Sequence, residues 1–222
     1  LSMRVPIRLI FVSGRRGNIA LLIKALARTA LMLLALLAPS AYAASLYSAP
    51  RYAAILIDHS TGEVLYARRA DEIRYPASIT KVMTLYVAFE ELAAGRLKLD
   101  DELRISRHAF NQAPSKLGLR VGAQISVRDA FGVIATKSAN DISVALAEHI
   151  SGSESAFAER MTATARRLGM MNTRFYNASG LPHADHTTTA RDIALLSRAM
   201  LRDFPDQYPL FSKAHYQYRG LS

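Results

Sequence analysis

A serine three residues ahead of a lysine, in Ser78-Ile79-Thr80-Lys81, is the first feature of this sequence that could do chemistry. A hydroxyl at position i and an amine at i+3 fall on one face of a helix, close enough to exchange a proton. Serine alone is a poor nucleophile. A lysine set among Ile79, Val82 and Met83 gives up its proton more readily, because burial disfavours the charged amine, and can then serve as the base. Pro76-Ala77 just before places Ser78 at the first turn of a helix, where unpaired backbone N–H groups and the helix dipole favour developing negative charge. A second pair, Ser138-Ala139-Asn140, falls where an apolar helical period is interrupted. A hydroxyl and an amide projecting from such a turn could relay a proton and hold a substrate amide. Both motifs also have plainer readings, a helix-capping serine with a solvated lysine and an inter-helix turn. A chain of this composition carries about half a Ser-x-x-Lys pair by chance, so neither motif decides alone.

The elements that must position these residues read as mixed strand and helix. Tyr52–Asp58 and Glu63–Ala67 are β-prone runs joined by His59-Ser60-Thr61-Gly62, which predicts an antiparallel hairpin. A helical pattern runs from Ser78 to Ala94, with Gly95 where a C-terminal cap belongs. Ser126-Val127-Arg128-Asp129 resembles a capping box that opens another helix. The period breaks at Ser138–Asn140 and resumes through Ile142, Val144, Leu146 and Ile150 to Gly152. Further helices are predicted over 154–168, stopped by Gly169, and 189–203, stopped by Pro205. Strands at the front and helices in the middle indicate an α+β domain rather than alternating βαβ units.

The chain has 222 residues and no cysteine, which excludes a disulfide framework, a cysteine nucleophile and thiolate metal or iron–sulfur sites. Its formal charge of +10 invites a nucleic-acid reading until the charge is divided along the chain. Arg4, Arg8, Arg15, Arg16, Lys24 and Arg28 all lie in residues 1–43, which hold no acid. The mild excess that remains over 44–222 needs no nucleic-acid partner. The same segment continues from Arg28 into the apolar run Thr29–Ala38 and then Pro39-Ser40-Ala41-Tyr42-Ala43. A basic region, a short apolar run and a small-x-small site form a secretory signal peptide over 1–43, cleaved after Ala43. The run is short for a span of about 20 apolar residues. Residues 44–222 then form one domain, secreted across the inner membrane into the periplasm. His183-Ala184-Asp185-His186 holds metal-ligating residue types, but two histidines and a carboxylate in a polar loop read as solvated side chains, and no metal or other cofactor is expected. Tyr208, Tyr216 and Tyr218 read as strand packing.

Several segments together resemble a known family. Tyr75-Pro76-Ala77-Ser78-Ile79-Thr80-Lys81-Val82-Met83-Thr84, Pro114–Leu119, Thr136-Lys137-Ser138-Ala139-Asn140-Asp141, Asn177-Ala178-Ser179-Gly180-Leu181-Pro182 and Thr188-Thr189-Ala190-Arg191-Asp192 look like the D-alanyl-D-alanine carboxypeptidases. These are the low-molecular-mass penicillin-binding proteins of serine peptidase family S11, and the resemblance covers nearly all of residues 50–220. It implies a β-lactamase/DD-peptidase-like α+β domain, an antiparallel sheet packed with a mostly helical subdomain. It further implies that Ser78 attacks the carbonyl between two terminal D-alanines of a peptidoglycan pentapeptide, with Lys81 as general base. Ser138 would pass protons to the leaving amine and help activate the deacylating water, and Asn140 would bind the substrate amide carbonyl. The implied partners are the pentapeptide and β-lactam antibiotics, which should acylate Ser78.

One departure stands out. The family carries a third motif, Lys-Thr-Gly or a close variant, on a strand that binds the substrate carboxylate, and this sequence has none; Lys213 is followed by Ala214-His215. The expectation is a C-terminally truncated chain with an incomplete sheet, a partly uncovered hairpin face, and any peripheral membrane association residing in a missing C-terminal segment. Alternative readings are a DD-endopeptidase of the same family and a non-catalytic penicillin- or wall-binding remnant. A serine β-lactamase would need a glutamate-based deacylation motif after Ser138-Ala139-Asn140, and none matches around Glu148–Glu159.

Overall fold

The computed structural model describes residues 52–218, so the expected signal peptide over 1–43 lies outside the described residues. The first pair of elements is set by a turn. Asp58 Oδ1 accepts from the backbone N–H and hydroxyl of Thr61 (2.7 and 2.9 Å), and these bonds hold the Asp58 carboxyl below its usual range. Gly62, at φ +79°, completes the reversal. β1 (Ala54–Ile57) therefore pairs antiparallel with β2 (Val64–Arg68), Ala54 opposite Arg68 and Leu56 opposite Tyr66. Leu56, Val64, Leu65 and Tyr66 on this hairpin are exposed.

After β2 the chain enters a 3-10 turn, Ala77–Ile79, that runs directly into α1 (Thr80–Ala93). Ser78 thus stands in that 3-10 turn, two residues ahead of the first residue of the α-helix in which the sequence pattern places it. β3 (Glu102–Arg104) and β4 (Gln124–Ser126) form a second antiparallel pair that the sequence reading did not foresee, with the short helix α2 (Arg107–Phe110) between them. Three-residue strands show no alternation long enough to read. α3 (Val127–Lys137) begins where predicted: Ser126 Oγ accepts from Asp129 N and donates to Asp129 Oδ2 at 2.8 Å. α4 (Asn140–Ser151), α5 (Glu154–Arg167) and α6 (Ala190–Asp203) follow, the last two capped by Ser153 and Thr189. Gly152 and Gly169, both at positive φ, lie just beyond the ends of α4 and α5. A 3-10 turn over Tyr208–Ser212 replaces the strand expected around Tyr208. Tyr216 packs its ring against Gly132 of α3, where a Cβ would overlap it, and donates its hydroxyl to Asp129 Oδ1 at 2.7 Å.

α1 and α4 are buried on nearly every face, the mark of helices with neighbours all round. Met83, Leu85, Val87, Ala88 and Phe89 of α1 and Ile142, Val144, Ala145 and Leu146 of α4 are buried in one core, with α5 packed on both helices. Phe89 meets Phe131 of α3 edge-on at 5.1 Å, and Phe204 closes on Phe89 and Tyr86. Glu91 ties α1 to α5, accepting from Arg96 and Arg160. Those two guanidiniums, Arg96 first, hold its carboxyl at about 2. The α+β class is as expected, and the helical subdomain carries the core. No helix among the described residues is long and apolar enough to cross a membrane.

Candidate active site

Lys81 occupies the second position of α1, on the same stripe as Ala77, Thr80 and Thr84. Its side chain is buried, 4% exposed, against α4 and the loop before α6. Nζ stands 3.5 Å from Ser78 Oγ and donates to Asn140 Oδ1 (2.8 Å) and to the Ser179 carbonyl (2.6 Å). Burial pushes the amine down to about 8. A neutral amine keeps two N–H bonds and gains one lone pair. Two fixed carbonyl acceptors match those two bonds, which leaves the lone pair for Ser78 Oγ.

Ser78 itself is exposed, as are Ala77 and Ile79 on either side of it. Ala77 sits at φ +47°, a left-handed conformation that costs an L-residue of order 1–2 kcal/mol. Gly180 explains how the turn is held. Its φ is +86°, and a Cβ there would overlap the Ala77 carbonyl and come within 2.9 Å of Thr80 Oγ1. Backbone therefore packs directly on backbone, with the loop 177–182 braced by Asn177 Oδ1, which accepts from Gly180 N at 2.7 Å. Thr84 Oγ1 donates to the Ala178 carbonyl at 2.7 Å one turn further along α1.

The Ser138–Asn140 turn arrives from the other side. Ser138 ends α3 in the left-handed region at φ +57°, and Ala139 opens α4, so the predicted break is real. Asn140 is buried and used at both ends: Oδ1 accepts from Lys81, and Nδ2 donates to the Ala113 carbonyl at 2.9 Å. One N–H of that amide remains for a substrate carbonyl. Ser138 Oγ is buried and makes no hydrogen bond, an unusual state for a hydroxyl inside a protein. Asp141, next in sequence, clamps the neighbouring loop by accepting from Leu117 N (3.0 Å) and Gly118 N (2.8 Å). Ser78, Lys81 and Asn140 are thus brought together, and Ser138 sits two residues from Asn140 without touching Ser78 or Lys81 through a hydrogen bond.

Sequence reasoning missed the Ser179 carbonyl, Gly180 and Thr84. A backbone carbonyl has no residue signature, although Asn-x-x-Gly announces the tight turn that presents it. His183-Ala184-Asp185-His186 is also corrected in part. His186 is not solvated: it is 2% exposed, and burial, with a smaller contribution from His183, holds its ring down at about 4. Three or more metal-ligating side chains gather nowhere among the described residues. A groove of about 760 Å³ lined by His108, Glu148, Glu159, Arg174 and Tyr176 lies apart from Ser78 and Lys81. A smaller cavity of about 490 Å³ abuts Pro76, Ala77, Gly180 and His186.

A serine hydroxyl facing a buried, readily deprotonated lysine, beside a Ser-x-Asn turn, is the arrangement that nucleophilic chemistry of the serine–lysine kind needs. The family model described as D-alanyl-D-alanine carboxypeptidase, peptidase family S11, matches residues 41–221, and the chain belongs to that family. It is 40% identical over 149 residues to the D-alanyl-D-alanine carboxypeptidase DacF of Bacillus subtilis, a match covering 67% of this chain and 38% of that protein. Among solved structures it resembles the D-alanyl-D-alanine carboxypeptidase DacD of Francisella tularensis, with a TM-score of 0.72, 38% identity and coverage of 75% of this chain and 40% of that one. It also resembles penicillin binding protein 5 of Haemophilus influenzae, with a TM-score of 0.73, 34% identity and coverage of 76% and 50%. The chain therefore spans half or less of each of these relatives.

Proposed function

We propose that the protein carrying this chain is a serine-type D-Ala-D-Ala carboxypeptidase that removes the terminal D-alanine from peptidoglycan stem peptides. The observation that carries this is the placement of Lys81 Nζ, buried between Asn140 Oδ1 and the Ser179 carbonyl and 3.5 Å from Ser78 Oγ. Neutral Lys81 takes the Ser78 proton while Oγ bonds to the carbonyl carbon between the two D-alanines. Negative charge collects on the carbonyl oxygen near the Ser78 N–H, at the helix end that favours anions. The C–N bond then breaks. Ser138 hands its proton to the departing amine and takes up the one that Lys81 removed from Ser78, so free D-alanine leaves an ester on Ser78 and a neutral Lys81. A water that gives its proton to the restored Lys81 amine attacks the ester, the bond from the acyl carbon to Ser78 Oγ breaks, and Lys81 returns that proton to Oγ as the shortened peptide leaves with a free carboxyl group. The remaining Asn140 N–H holds the amide carbonyl of the stem peptide.

Penicillin carries a strained amide in place of the D-Ala-D-Ala bond and acylates the same Oγ. The deacylation then stalls and the drug stays on Ser78; the Haemophilus relative is named as a penicillin binding protein. Residues 1–43 direct export, and the protein works in the periplasm, where its substrate lies. The decisive experiment reacts the protein with fluorescent penicillin and measures D-alanine release from a pentapeptide. Covalent label that Ser78→Ala abolishes, together with free D-alanine, is the expected result. A protein that takes no label is a non-catalytic remnant, and one that cuts cross-linked dimers but not pentapeptides is an endopeptidase. The rate of acylation should climb with pH through a midpoint near 8, as Lys81 loses its proton.

A further inference from the structure

We propose that His186 is a positioning residue for this site, acting through Thr80 to hold the loop 177–182 against the face of α1 that carries Lys81. The inference rests on the acyl-transfer reading above and concerns a buried side chain to which that reading gives no task. Thr80, Lys81 and Thr84, with Ala77 in the turn before, line one stripe of helix surface. The loop meets every one of them: the Gly180 backbone lies on the Ala77 carbonyl and Thr80 Oγ1, the Ser179 carbonyl accepts from Lys81, and the Ala178 carbonyl accepts from Thr84. The two carbonyl bonds come from loop backbone, whose direction is set by how the loop is seated.

His186 is the side chain that seats it. The loop is closed at its base by the Arg174–Thr187 backbone pair (2.9 and 3.0 Å), and His186 comes immediately before that closure. Tyr176 N donates to Nδ1 at 3.4 Å, so the ring proton sits on Nε2 and is given to Thr80 Oγ1 at 2.8 Å. Phe175 meets the imidazole edge-on at 5.6 Å and fixes its plane. One neutral ring thus joins both arms of the loop to the hydroxyl that lies directly over Gly180. If that bond is lost, Thr80 Oγ1 can turn, Gly180 loses its fixed neighbour, and the Ser179 carbonyl loosens from Lys81. Water then reaches the amine, and its burial, the cause of its lowered proton affinity, is relieved.

Two substitutions break the same bond from opposite sides, His186→Leu and the isosteric Thr80→Val. Each should slow acylation by fluorescent penicillin about tenfold at pH 7.5, and the double variant should be no slower than either alone. His186→Gln, which puts an N–H donor where Nε2 was, should recover the rate to within about threefold. The readout a merely structural role would not move is the titration of Lys81, followed by ¹³C NMR of its ε-carbon. Its midpoint should rise in His186→Leu and Thr80→Val and return in His186→Gln. If His186→Leu does not fold, Thr80→Val decides by itself. Acylation within twofold of wild type, a glutamine variant as slow as the leucine one, or a Lys81 midpoint unmoved in Thr80→Val would each overturn the proposal. A wild-type protein that takes no penicillin sinks the acyl-transfer reading instead, and the Lys81 titration still tests the His186 contact.

Discussion

Lys81 and Ser78 face each other across 3.5 Å and belong to two regions built on different terms. On one side, α1, α4 and the loop 177–182 enclose Lys81 and Asn140 in buried contacts, each polar atom given a partner, with Ser138 Oγ left over. On the other side, Ser78 rides an exposed turn between Tyr75, 70% exposed, and Ile79, and the hairpin beyond it shows Leu56, Val64 and Leu65 to solvent. Lys81 is oriented by tertiary packing, and moving it means moving the core. Ser78 is oriented by backbone strain at Ala77 that Gly180 holds in place. Substitutions on the two sides should therefore fail differently: chemistry without stability on the exposed side, both together on the buried side.

The largest expected effect isolates chemistry. Ser78→Ala should remove penicillin labelling by at least about 10³-fold, while the thermal midpoint stays with wild type because the side chain is exposed. A midpoint lowered by several degrees would mean that the Ser78 side chain is not exposed as described above.

Lys81 tests the buried side through linkage. Its amine titrates at about 8 in the fold and at the ordinary value of 10.5 in the unfolded chain, burial being the cause. Below pH 8 both states hold the proton and the fold carries the full cost of the buried charge. Between the two values the unfolded chain binds more protons, so stability rises with pH. Wild type should gain about 3 kcal/mol over that window relative to Lys81→Met, measured by urea unfolding at pH 7, 9 and 10.5. Parallel curves for the two proteins would show that the amine is not desolvated.

Gly180 joins the regions, and Gly180→Ala should damage both. A methyl at φ +86° would collide with the Ala77 carbonyl, with no flexible side chain to give way. The expected loss is about 3 kcal/mol of stability, accompanied by slowed acylation because the Ser78 turn must shift. Slowed acylation at unchanged stability would place the strain in the turn alone.

The sequence made one of these regions more legible than the other. Long apolar helices, their Ser and Thr caps and the glycines beyond their ends were readable because each is a local signal: Ser126, Thr189 and Gly152 fall where the structure uses them. Ser78 and Lys81 were readable as a spacing on one helix face. Less visible was what lowers the proton affinity of Lys81, since its partners sit 59 and 98 residues away and one is a backbone carbonyl. His186 was misread for a related reason. Its loop is polar in composition, and burial came from Phe175 and Thr80 folding over it, a tertiary fact without a local trace. β3 and β4, three residues each, were too short to show a period.

The smallest expected effect sharpens the comparison from the exposed side. Leu65 on β2 is 57% exposed, and its neighbours Leu56 and Val64 are open as well. Leu65→Ser in this chain therefore removes little buried apolar area, and its stability should change by less than about 0.5 kcal/mol. The contrast is Leu146→Ala in α4, whose side chain is fully buried and whose loss should cost about 3 kcal/mol through transfer and cavity together. Urea unfolding of both variants measures the ratio directly. Should Leu65→Ser cost as much as Leu146→Ala, the hairpin face is covered in solution, and the division into a packed base side and an open nucleophile side no longer holds.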